Sequence, residues 1–173
     1  WQEALGIFFE VRQCHLEPND ITYNAAISAC ERGAQWQKAL GMFSNMRQHT
    51  CEPDLITYNA AMIACENGAM WQEALGLFVD MNQRRLDPDV TTCSSCMNAC
   101  EKGAQWQEAM SVFSDMRQRQ FVPSVLPCSA MIMACERGAR WLEALGMFSD
   151  MRLSRWEPSA TAYNVAISAC GKG

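Results

Sequence analysis

The run ITYNAAISACERGAQWQKAL at residues 21–40 returns as ITYNAAMIACENGAMWQEAL at residues 56–75. The offset is 35 residues, and it persists from one end of the chain to the other. Trp1, Trp36, Trp71, Trp106 and Trp141 form one column, and Pro18, Pro53, Pro88, Pro123 and Pro158 a second. Cys30, Cys65, Cys100, Cys135 and Cys170 form a third, and Gly33, Gly68, Gly103, Gly138 and Gly173 a fourth. No insertion or deletion breaks the register. A fixed period of this size predicts a solenoid, in which each unit buries its apolar face against its neighbours. Such a chain presents an extended surface, so the pattern points to binding rather than catalysis.

Within the unit 20–54, Tyr23, Ala26, Ile27 and Cys30 fall at helical spacing on one face. Gly33 stands where a left-handed residue ends a helix. Trp36, Ala39, Leu40, Phe43 and Met46 then form a second helical stripe, and a polar stretch with Pro53 closes the unit. Later units repeat the first stripe as Tyr58, Ala61, Met62, Cys65 and as Cys128, Met131, Ile132, Cys135. Trp106, Ala109, Met110, Phe113 and Met116 repeat the second. Each unit therefore reads as two helices of about 12 residues. No strand-like alternation persists. The predicted fold is all-α: a right-handed α-solenoid, or superhelix, of stacked helix–turn–helix 35-residue repeats.

The 173 residues divide into a partial repeat (1–19), four complete repeats (20–54, 55–89, 90–124, 125–159) and a partial repeat (160–173). This predicts a segment of a longer array whose terminal helices leave apolar faces open. Hydrophobic content of 49 % suffices for a packed array. No stretch approaches the roughly 18 apolar residues that span a membrane, and the segment contains no signal or transit peptide. Half of the ten Cys lie in one column. Stacked repeats sit about 10 Å apart, beyond disulfide reach, so these read as reduced core residues. Cys93, Cys96 and Cys100 suggest a metal pair at first sight, but they replace Tyr23, Ala26 and Cys30 of the core stripe, so no metal is expected. His15 and His49 have no recurrent Ser or Cys partner, and no Gly-rich phosphate loop occurs. Neither an enzyme nor a cofactor is expected of this segment.

Two families share the layout. The Trp–x–x–Ala–Leu–Gly runs at 36–41 and 71–76 suggest the tetratricopeptide repeat, but its period is 34 and its Trp opens the first helix. The chain more closely resembles the pentatricopeptide repeat family, through Ile21-Thr22-Tyr23-Asn24, the Gly turn, Ala39-Leu40-x-x-Phe43-x-x-Met46 and Pro53-Asp54. The resemblance covers the whole chain. It implies single-stranded RNA binding, one base per repeat, in mitochondrial or chloroplast RNA processing, editing, stability or translation.

By that resemblance the base readers are the residue after the Tyr column and the last residue of the same repeat. Asn24 pairs with Asp54, Asn59 with Asp89, Ser94 with Ser124 and Ser129 with Ser159. Asn19 and Asn164 belong to incomplete pairs. Asn with Asp implies uracil, so the first two complete repeats would read uridines. The Ser–Ser pairs carry no assigned base. The base-wedging column is Ile21, Ile56, Thr91, Leu126 and Thr161. Arg32, Lys102, Arg137 and Lys172 would form a basic, phosphate-contacting stripe, broken by Asn67. Asn19, Asp54, Asp89, Ser124 and Ser159 are also good N-cap types, and capping and reading can coexist. The net charge of −5 is low for an RNA binder and favours the alternative, a protein-binding α-solenoid scaffold of tetratricopeptide type. A degenerate array that only spaces other domains is a third reading, which the Ser–Ser units would suit.

Overall fold

The computed structural model describes residues 1–49, 51–121, 125–153, 158 and 160–171, with the side chains of residues 125, 126, 161 and 169 outside that set. Its helices are α1 (Gln2–Gln13), α2 (Asp20–Arg32), α3 (Trp36–Gln48), α4 (Leu55–Gly68), α5 (Trp71–Gln83), α6 (Val90–Lys102), α7 (Trp106–Gln118), α8 (Val125–Arg137), α9 (Trp141–Leu153) and α10 (Ala160–Cys170). The described residues contain no strand. The fold is the expected all-α stack of helix–turn–helix repeats.

The even-numbered helices open each repeat, and their start is set by chemistry at the preceding residue. Asn19, Asp54 and Asp89 hold an extended backbone, and their side chains accept the amide N–H of Thr22, Thr57 and Thr92 at 3.0, 2.9 and 2.8 Å. Each bond satisfies an otherwise orphaned donor of the first turn. At α4 and α6 the Thr hydroxyl also accepts the cap residue's own N–H, closing a capping box. The odd-numbered helices open at the Trp column, where Gln35, Met70 and Gln105 make no side-chain cap bond.

The end of each first helix differs from expectation. Gly33 and Gly103 have φ of −79° and −83°, in the right-handed region. The left-handed residue is the next one, with φ of 54° to 55° at Ala34, Ala69, Ala104 and Ala139. The N–H of Gln35 reaches Cys30 O and that of Ala34 reaches Glu31 O, the paired bonds of a Schellman ending. The glycine is needed for space instead. A Cβ on Gly33, Gly68, Gly103 or Gly138 would come within 2.3 to 2.7 Å of the indole of Trp1, Trp36, Trp71 or Trp106, one repeat earlier.

The first helices pack directly on one another in series, α2 on α4, α4 on α6, α6 on α8 and α8 on α10. Of the second helices, α3, α5, α7 and α9 are each wedged between the first helix of their own repeat and that of the next, as α3 is between α2 and α4. The first helices are thus the closely stacked layer and the second helices the outer one. This explains why α4 is buried on several faces, at Thr57, Tyr58, Ala60, Ala61, Met62, Ala64 and Cys65. It also explains a buried column outside the expected second-helix stripe: Met42, Leu77, Val112 and Met147. A helix gripped from two sides needs a wider apolar face. At the ends of the stack, the same columns lie open, with Ile7 61 % and Ile167 69 % exposed. The thiols of Cys93, Cys96 and Cys100 are fully buried core groups, and among the described residues no cluster of ligating side chains is placed to hold a metal.

Candidate nucleic-acid interface

Stacking of the first helices brings the start of each one beside the start of the next. Asn24, in the second turn of α2, lies against the cap of α4, 30 residues further on. Its side-chain NH2 donates to Asp54 Oδ1 at 3.3 Å and Oδ2 at 3.5 Å. The next repeat reproduces this, with Asn59 Nδ2 donating to Asp89 Oδ2 at 3.1 Å. Both predicted Asn–Asp pairs are therefore brought together.

A third residue joins each pair. The Thr57 hydroxyl donates to Asn24 Oδ1, and the Thr92 hydroxyl donates to Asn59 Oδ1 at 2.5 Å. These contacts decide how the amides are turned. Reversing the Asn24 side chain would set its carbonyl oxygen against the Asp54 carboxylate and forfeit the hydrogen bond that Thr57 donates to that oxygen. Among the described residues, nothing further is seen to take the second N–H or the second carbonyl lone pair of either Asn. The sequence signal was visible as Thr22, Thr57 and Thr92 three residues after each cap. Local capping accounts for that spacing by itself, so the contact with the preceding repeat's Asn leaves no separate mark in the sequence. Partial burial pushes the Asp54 carboxyl up, but hydrogen bonds from the Thr57 amide and hydroxyl, Asn24 and the Ile56 amide outweigh it and hold the group below its ordinary value. Asp54 is thus a persistent anion and a steady acceptor for the amide.

Beside these amides stand apolar side chains that the core does not use. Ile21 is 77 % and Ile56 63 % exposed, three residues before Asn24 and Asn59 and on the same helix face. Thr91 is exposed at the same register. The wedging side chains Leu126 and Thr161 lie outside the described residues.

The other units differ. The Ser94 hydroxyl donates back to Val90 O of its own helix at 2.6 Å. Ser129 Oγ is buried without a hydrogen-bond partner among the described residues. Ser124 and Ser159 lie outside the described residues. Asn19 is exposed and caps α2, and Asn164 is exposed on α10.

The expected basic stripe has alternating sign. Lys102 Nζ donates to Glu66 O at 2.9 Å and lies 3.9 Å from its carboxylate. Arg137 Nε sits 2.7 Å from Glu101 Oε1. Each cation is tied to an acid of the preceding first helix, because the acidic column precedes the basic one by a single residue. Arg32 is exposed, and Lys172 lies outside the described residues. Further cations gather at the second-helix ends. Arg47 and Arg84 flank Asp80 at 3.4 and 3.3 Å, and Asp80 also accepts the Tyr58 hydroxyl. Arg119 pairs with Asp115 at 2.7 Å.

Comparison with known proteins fits this geometry. A family described as Pentatricopeptide repeat domain matches residues 1–32, 76–138 and 111–173, the PPR repeat family matches 18–67, and PPR repeat matches 56–86. No curated protein matches the chain. Among solved structures it resembles the PPR domain of Arabidopsis thaliana protein-only RNase P 1 in complex with tRNA, with TM-score 0.84 and 13 % identity over 98 % of this chain and 90 % of that one. It also resembles the pentatricopeptide repeat protein PPR10 in complex with an 18-nucleotide psaJ RNA element, with TM-score 0.72 and 24 % identity over 91 % of this chain. The chain spans 24 % of the length of that protein. At such identities the likeness establishes the fold alone. The domain match covers well over half of the 173 residues, and the chain belongs to the pentatricopeptide repeat family.

Proposed function

We propose that this chain binds single-stranded RNA in a sequence-dependent way, one base per repeat, as part of organellar RNA metabolism in the mitochondrion or chloroplast. The observation that carries the reading is the twice-repeated cluster of Asn, Asp and exposed Ile at one register. Each Asn offers a donor and an acceptor side by side, the complement of a pyrimidine edge. The neighbouring Ile offers an exposed apolar surface for the flat face of the base. Asn24 with Asp54 and Asn59 with Asp89 select uridines, by the family resemblance. Ser94 and Ser129 contribute weaker selection, since a hydroxyl lacks the paired donor and acceptor of an amide. The action is occupancy of a transcript, and no cofactor enters it. The RNA carried by the solved structures of PPR10 and the RNase P 1 domain supports this class of ligand.

The test is selection of bound species from a randomised single-stranded RNA pool at low and moderate salt, repeated with Asn24→Ala combined with Asn59→Ala. Enrichment of adjacent uridines, lost in the double variant with helicity unchanged, is the expected result. Undiminished enrichment in the variant would remove the base-reading assignment. A second reading, a protein-binding scaffold, draws on the net charge of −5 and on the pairing of Lys102 and Arg137 with glutamates. It gains if no RNA is retained at low salt, where electrostatic contacts are strongest.

A further inference from the structure

We propose that Thr57 and Thr92 are positioning residues of base readout, each fixing the amide of the preceding repeat's Asn, so that one reading unit spans a repeat boundary. The units are Asn24, Asp54 and Thr57, and Asn59, Asp89 and Thr92. This deepens the RNA-binding reading above and rests on it.

Capping alone does not account for the Thr hydroxyl. The backbone N–H of Thr57 already fills the role of capped donor, at 2.9 Å from Asp54 Oδ1. The hydroxyl accepts the Asp54 N–H at 3.3 Å and is then free to donate. Two acceptors face its single proton: Asp54 Oδ1 at 2.7 Å and Asn24 Oδ1. Asp54 Oδ1 is also reached by the Thr57 amide and Asn24 Nδ2. Thr57 is the one side chain seen donating to Asn24 Oδ1 among the described residues. Thr57 is fully buried, so water does not compete for its proton. Thr92, also fully buried, repeats the arrangement with Asn59.

The terminal torsion of Asn is broad and two-fold, and its oxygen and nitrogen are nearly equal in size. An unrestrained amide presents donor and acceptor in either order and suits more than one base edge. A carboxylate on the nitrogen side and a hydroxyl donor on the oxygen side leave one order. The Asp supplies half of that restraint and the Thr the other half.

The Ser units support the assignment independently. The residue at the Thr register opposite Ser94 is Pro127, and opposite Ser129 it is Ala162. Neither has a hydroxyl. Correspondingly, Ser94 turns to Val90 O, and Ser129 Oγ finds no partner among the described residues. Thr accompanies Asn and Asp, and is missing where they are missing.

The test compares Thr57→Val, similar in shape but without the hydroxyl, with Thr57→Ser, which retains it, in the full 173-residue chain. Binding is measured to oligoribonucleotides, placed in register by the selected site, that carry U, C, A or G at the single position read by Asn24. Loss of one hydrogen bond predicts that Thr57→Val lowers uridine discrimination there about fivefold. The position read by Asn59 keeps its preference, and Thr57→Ser restores the first. A weakened cap would lower affinity for all four bases equally, and that result would overturn the proposal. A wild-type preference that survives Thr57→Val also overturns it while leaving the RNA reading intact. A wild-type chain with no preference at either position removes both.

Discussion

A Cβ on Gly68 would stand 2.7 Å from Cδ2 of Trp36, so the glycine and the indole, 32 residues apart, form one contact between successive repeats. The equivalent approach to Gly103 by Trp71 is 2.4 Å. A cation of the next repeat covers some of these rings, Lys38 over Trp1 at 3.7 Å and Arg140 over Trp106 at 4.6 Å from the ring centroid. Gly103→Ala should therefore force the indole aside and cost about 1–3 kcal/mol. Gly76 lies within α5 with open space around its Cα, and Gly76→Ala should instead stabilise by about 1 kcal/mol. Urea denaturation of the two variants checks the opposite signs. Equal stabilisation by both would show that the indole yields freely.

The same contact marks how far the sequence can be read. Four columns at one period give the repeats, the helices and most of the core, because those follow from local periodicity. Trp36 and Gly68 are conspicuous as columns, yet nothing local says that they meet. Gly33 therefore reads as a left-handed cap, whereas it ends a right-handed turn beside Trp1. Lys102 reads as a free cation because its partner Glu66 lies in the previous repeat. The Asn24–Asp54 pair comes from the family resemblance, and Thr57 stays hidden behind its capping role. What the period leaves out are contacts between repeats whose chemistry differs from the chemistry within them.

Ala69 tests the strain at the helix ends. Its φ is 54° in a conformation that costs an L-residue about 1–2 kcal/mol and glycine little. Glycine loses more entropy on folding, so Ala69→Gly should gain up to about 1 kcal/mol. Ala34 and Ala104 sit at equivalent sites far enough apart for the gains to add. Denaturation midpoints of the single and combined variants provide the check, and a loss in Ala69→Gly would mean that the Schellman bonds absorb the strain.

The buried titratable groups make the fold sensitive to alkali. Burial pushes Cys65 from 9.0 up to about 12, and Cys93, Cys128 and Cys135 up to about 11. Burial and the adjacent Asp80 carboxylate push Tyr58 from 10.0 up to about 12. A raised folded value means that the protonated form is favoured in the folded state. The unfolded chain therefore ionises first, at 9.0 for thiols and 10.0 for Tyr58. Their contribution to stability is complete below pH 9.0 and falls as pH rises through the folded values near 11 and 12. Urea midpoints should decline across this window, and the decline should be shallower in Cys65→Ala. A flat profile would place these groups in contact with water.

Pro127 offers the converse of the Thr57 experiment. It occupies the third position of α8, within the first turn, where proline is tolerated because its missing N–H has no partner inside the helix. Threonine at that position would supply both an amide for a cap and a hydroxyl for the reader of the preceding repeat. Ser94→Asn with Ser124→Asp installs the other two members of the unit. If a reading unit needs three residues, these two substitutions alone should give a weak uridine preference in the third complete repeat. Adding Pro127→Thr should raise that preference about fivefold, the worth of one hydrogen bond. The comparison is made on one oligoribonucleotide series, varied only at the base opposite residue 94. Equal preference with and without Pro127→Thr would show that Asp alone suffices to hold the amide. A preference that appears only with Thr would identify the residue after the repeat boundary as part of the unit that reads the base before it.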